Sequence, residues 1–144
     1  MSDWRYFLTL ASGTSIWMVY LFPVNLFVAA LLALGLIATG RRLKERPIRL
    51  AAFCFLPSVL PVAILVVGVG LAYSGPPPWA GGQPPAFPDR FIDGLVLAHL
   101  PLGGLLAWRS GGQWATVLGS SAAWTWTSIC AGIVAGMSVS GVWP

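Results

Sequence analysis

From Ile16 to Thr39 the chain reads IWMVYLFPVNLFVAALLALGLIAT, with no charged side chain anywhere in the run. About 20 consecutive apolar residues suffice for a helix to cross the hydrocarbon of a bilayer. A run of this length therefore fixes the solvent before it fixes the fold. Three more follow at Leu50–Tyr73, Phe91–Trp108 and Trp114–Val139. Inside lipid every backbone N–H and C=O must be satisfied within the protein, and for segments of this length the helix is the form that does so. The expected fold is an all-α integral membrane protein, a single domain over residues 1–144 with four transmembrane helices. Residues 2–14 are amphiphilic and too short to span; they are expected to form an interfacial helix or to prolong the first span.

The charges agree. Only 8% of residues are charged, against roughly 25% in a soluble domain, too few to dress a water-facing surface. Five of the eight basic residues fall in one stretch: Arg41, Arg42, Lys44, Arg46 and Arg49. Nucleic-acid binding needs a broad basic face, so no nucleic-acid partner is expected. A cluster between two apolar runs marks a cytoplasmic loop instead, and Arg109 adds to the same side, against Arg5 and Arg90 on the other. The expected topology places loops one and three in the cytoplasm and both termini outside it. Trp17, Trp79, Trp108, Trp114 and Trp143 fall near the ends of the runs, where an amphipathic ring sits at headgroup level. The N-terminal segment has Asp3 beside Arg5 and no basic leader, so it is expected to stay in the mature chain. Seven arginines against one lysine, with 17 glycines and 12 prolines, suit a GC-rich bacterial genome and hence a bacterial inner membrane.

Between the second and third runs lies SGPPPWAGGQPPAFPD, residues 74–89, with six prolines. Proline lacks the N–H a helix needs and favours an extended path. This extracytoplasmic loop reads either as a linker or as a docking strap anchored by Trp79 and Phe87. Asp89, after Pro88, suits the N-cap of the third span.

Lipid offers no hydrophobic drive for helices to associate, so small residues and buried polar groups must provide the contact. In the fourth run Ser120, Trp124, Ser128, Gly132, Gly136 and Ser140 recur every four residues. Ser128, Gly132, Gly136 and Ser140 are expected to form a helix-packing interface toward another chain. The other three runs carry prolines: Pro23, then Pro57 and Pro61, then Pro101. Each frees a carbonyl one turn back and bends its helix. Asn25, two residues beyond Pro23, can serve such a freed group.

The one histidine, His99, lies near the middle of the third run, and an ionisable group at that depth marks a candidate site. As a structural residue it would be neutral and bonded to a hydroxyl of span four. As a cofactor ligand it would hold a haem iron or a chlorin magnesium, with Gly103 and Gly104 leaving room for the ring. A six-coordinate haem lacks a second histidine here, and Met18 and Met137 lie at other depths. Cys54 and Cys130 stand alone in apolar runs, so no zinc site is expected and no disulfide either. No paired intramembrane carboxylates, nucleophile motif, phosphate loop or dinucleotide fingerprint appears.

The sequence thus points away from an enzyme. It points to a small non-catalytic subunit that stabilises a larger, energy-transducing membrane complex, with other membrane subunits and lipids as partners and no cofactor. The alternatives are a haem- or chlorin-carrying subunit with His99 as axial ligand, and a small transporter or channel.

Overall fold

The computed structural model describes residues 3–40, 47–72 and 86–141. All of the regular structure in them is helical: α1 (Asp3–Tyr20), α2 (Phe22–Thr39), α3 (Pro47–Phe55), α4 (Val59–Gly70), α5 (Ala86–Leu97), α6 (His99–Arg109) and α7 (Trp114–Ser140). Four stretches are long and apolar enough to cross a membrane: Phe22–Thr39, Pro47–Gly70, Arg90–Arg109 and Gly111–Ser140. The chain is a multi-pass membrane protein. Its outer surface says the same, since Tyr20, Ile37, Ile48 and Trp108 are each more than 70% exposed. An apolar exterior of this kind is stable against lipid and not against water.

The proline breaks fall where the sequence puts them. Between α3 and α4 the chain tightens into a 3-10 turn at Leu56–Ser58, containing Pro57 and followed by Pro61. Between α5 and α6 it breaks at Ala98, one turn before Pro101, which cannot donate to the Leu97 carbonyl. Backbone bonds from Ala98 to Gly94 (3.0 Å) and from Leu102 to Ala98 (3.2 Å) hold the two halves in line. The first break is at Leu21, ahead of Pro23. There the Asn25 amide donates to the Met18 carbonyl, the service expected of it.

Helix α7, 27 residues long and so about 40 Å at 1.5 Å per residue, is the axis of the molecule. Each of the other six helices packs on it. Helices α1 and α2 follow it antiparallel, with contacts stepping from Tyr6–Ser138 and Gly13–Val134 through Asn25–Trp126 to Thr39–Thr116. Residues 3–20 thus form an ordered helix with Leu10 fully buried against α4 and α7. It lies along α7 in line with α2.

The third span, Arg90–Arg109, lies where expected, but the helix that carries it starts earlier. Residues 86–89, assigned to the proline-rich loop, already belong to α5. Proline is tolerated in a first helical turn because that N–H has no intrahelical partner anyway. Asp89 is accordingly inside the first turn and not at the N-cap. Phe87 lies on this helix and Trp79 outside the described residues.

Candidate functional site

Three consecutive residues of α7 show how the sequence builds the interior. Successive side chains on a helix point about 100° apart, and Gly119, Ser120 and Ser121 meet three different neighbours. A Cβ on Gly119 would lie 2.9 Å from the Leu32 Cα, so its absence lets α2 come backbone to backbone. The Ser120 hydroxyl donates to the Cys54 carbonyl at the α3 break (2.8 Å), and Trp124 Nε1 reaches the same oxygen (2.7 Å). Ser121 fills the space beside Gly103 of α6, where a Cβ would lie 3.0 Å from its own. Small and hydroxylated residues share the centre with Leu10, Ile64, Val117 and Val134, while many other large apolar side chains face outward.

The polar groups in this interior answer one another. Thr116 of α7 reaches the Gly35 carbonyl (3.0 Å) and the Thr39 hydroxyl (2.6 Å), and Thr39 also donates to Gly35 (2.9 Å). Toward the other end the Tyr6 hydroxyl pairs with Ser138 (2.6 Å), which donates to the Gly68 carbonyl (3.1 Å). Nothing in the spacing of Thr39, Tyr6 or Gly68 announces these partners, and Thr116 and Ser138 lie outside the four-residue strip of the fourth run.

His99 opens α6 just after the break and is 1% exposed. Its Nε2 lies 3.2 Å from the Ser128 hydroxyl of α7. The Leu95, Val96 and Pro57 carbonyls face the ring, yet none meets Nδ1 in hydrogen-bond geometry, and the buried Ser121 hydroxyl is likewise without a partner. Beside these two residues a cleft of about 180 Å³ opens between α6 and α7, lined by Leu100, Gly104, Leu118 and Thr125 among others. Small-molecule sites run to about 300–1,000 Å³, and a macrocycle is at the large end. Gly103 leaves no room for one, because Ser121 already occupies its vacant side. Of the two glycines expected to leave room, only Gly104 meets open space.

The expected packing strip divides. Ser128 is fully buried against His99, and a Cβ on Gly132 would lie 3.2 Å from Val96 and 3.5 Å from Ile92. These two residues serve close packing, but what meets them is this chain's own α5–α6, through the Ile92, Val96 and His99 side chains. A Cβ on Gly136 would meet no described atom within 4 Å, and Ser140 is half-buried. Cys54 and Cys130 are both free thiols, on α3 and α7. Among the described residues no three His, Cys, Asp or Glu side chains gather around a common point.

A second cleft, of about 390 Å³, runs between α2 and α7 past Leu34, Gly35, Ala38, Trp114 and Ala115. It shares Leu118 and Ala122 with the cleft beside His99. The two adjoin on either side of the Leu118 and Ala122 ridge of α7, one walled by α2 and the other by α6, and together they make up the furrow. Its floor is apolar and its lining rich in small residues. None of the family models, curated proteins or solved structures compared with the chain matches it. The geometry therefore carries the functional argument. Among the described residues it shows no reacting pair; besides the furrow, a cleft of about 260 Å³ lies by Met18, Asn25 and Trp126 and one of about 330 Å³ against Ser15, Val19 and Tyr20 of α1.

Proposed function

We propose that the chain is a small non-catalytic subunit of a bacterial plasma membrane that takes a transmembrane helix of another subunit into the furrow along α7. Both termini lie outside the cytoplasm, and the larger complex it stabilises is an energy-transducing one. Trp79 and Phe87 make a second contact outside the membrane.

The observation that carries the reading is the lining. Helices associate in lipid where small residues let backbones approach, and Ala38, Ala115 and Ala122 line the furrow, while Gly35 and Gly119 beneath them are already taken up by the α2–α7 contact. Leu118, 40% exposed on its ridge, supplies a knob for the incoming helix. His99 fits the same role as an internal tie between α6 and α7. Being neutral there, it avoids the several kcal/mol that a charge near the bilayer centre costs.

The test is to fill the furrow with Leu118→Trp and Ala122→Trp. Extracted from native membranes into nanodiscs, the wild-type chain should run within a larger assembly and the filled variant alone, with unchanged helical circular dichroism. A wild-type chain that runs alone, or a filled variant that keeps the assembly, contradicts the proposal.

A further inference from the structure

At the end of the bundle where α6 passes into α7, two arginines meet. Arg49 Nη2 of α3 donates to the Arg109 carbonyl at 3.0 Å. The Arg49 guanidinium also lies over the Phe53 ring, its carbon 5.2 Å from the centroid. One edge of that guanidinium is thereby fixed, while its remaining donors point away from the contact. Both arginines are exposed, and neither has a carboxylate partner among the described residues. Of the chain's four carboxylates, Asp3 begins α1 and Asp89 and Asp93 lie in α5, at the opposite end. The fourth, Glu45, stands among Arg41, Arg42, Lys44 and Arg46 and is outnumbered by them. The residue whose carbonyl Arg49 holds carries a guanidinium of its own, so two exposed cations stand at this end of the bundle with no carboxylate beside them among the described residues. Trp108, 79% exposed, and Ile48, 86% exposed, flank the pair with apolar surface of the kind that sits at the headgroup boundary.

We propose that Arg49 and Arg109 form a headgroup site that binds the phosphate of an anionic phospholipid. A guanidinium presents parallel N–H donors that match two phosphate oxygens, a fit that a lysine's point charge cannot give. The site is independent of the furrow and of which leaflet it faces.

The experiment uses the full chain reconstituted in vesicles. Quenching of its tryptophan fluorescence is compared between dibrominated phosphatidylglycerol and dibrominated phosphatidylcholine. The wild-type chain should prefer the anionic lipid, by about five-fold for each arginine engaged. Arg49→Gln with Arg109→Gln should lose that preference by at least five-fold more than Arg41→Gln with Arg42→Gln, which removes the same charge from the neighbouring segment. Equal losses would mean a diffuse basic field and would overturn the site, as would a wild-type chain without preference. Inorganic phosphate added at constant ionic strength should leave the preference intact; its abolition would reassign the site to free phosphate and overturn the lipid assignment. Should the glutamine pair fail to fold, Arg49→Lys with Arg109→Lys keeps the charge and loses the fork. It should reduce the preference several-fold, and full retention would contradict the proposal.

Discussion

Trp126 Nε1 donates to Asn25 Oδ1 across 2.7 Å, tying the centre of α7 to the break between α1 and α2. The same Asn25 donates through its amide to the Met18 carbonyl, so one side chain repairs the backbone at a proline break and fastens it to the core. Replacing both residues (Asn25→Leu, Trp126→Phe) in a double-mutant cycle should give a coupling of about 1 kcal/mol, within the range measured for hydrogen bonds between transmembrane helices. Reversible unfolding in mixed micelles reads it. A coupling indistinguishable from zero would mean that the two residues do not act together.

Glycines of this chain should differ sharply by position. A Cβ on Gly35 would overlap the Ala115 carbonyl, and one on Gly119 would press on the Leu31 and Leu32 backbone. Backbone cannot rotate away as a side chain can. Gly119→Val should therefore cost about 1–3 kcal/mol or more, while Gly136→Ala, which meets open space, should stay within about 0.5 kcal/mol of wild type. The same unfolding measurement checks both, and equal effects would contradict the packing described for α2 against α7.

His99 should behave as a neutral structural residue. His99→Leu deprives Ser128 of its partner and should cost about 1–2 kcal/mol. His99→Gln retains a donor and an acceptor and should cost less. Denaturation midpoints of the two variants decide the matter: a glutamine variant as weak as the leucine one would show that hydrogen bonding is not what His99 contributes.

Much of this arrangement could be read from the residues. The four spans follow from run length and the absence of charge, the helix breaks from Pro23, Pro57, Pro61 and Pro101, and the repair of one break from Asn25. What could not be read is whose backbone a small residue admits. Ser128 and Gly132 signal close approach, but spacing alone does not say that the approaching helix is α5–α6 of the same chain. Nor does the sequence single out α7 as the axis, because small residues surround it on every side and no one stripe is privileged. The start of α5 was hidden for a different reason. Proline disfavours a helix interior but not its first turn, so Pro88 marks a boundary without saying on which side of it the helix begins.

The proposed threading carries its own expectation. An alkaline phosphatase fused at the C-terminus should be active, and a cytoplasmic reporter at the same site silent, because six cations lie in loops one and three against Arg5 and Arg90 on the other side. The opposite pattern would invert the topology while leaving the bundle as described.

The central claim is that the furrow along α7 receives a helix from another protein. Site-specific photo-crosslinking in native membranes addresses it directly, with a benzophenone amino acid at Leu118 in the furrow and, for comparison, at Leu97, which is 62% exposed on α5. One discrete protein adduct is expected from position 118 and only lipid adducts from position 97. Lipid adducts alone from 118, or the same protein adduct from both positions, would contradict it.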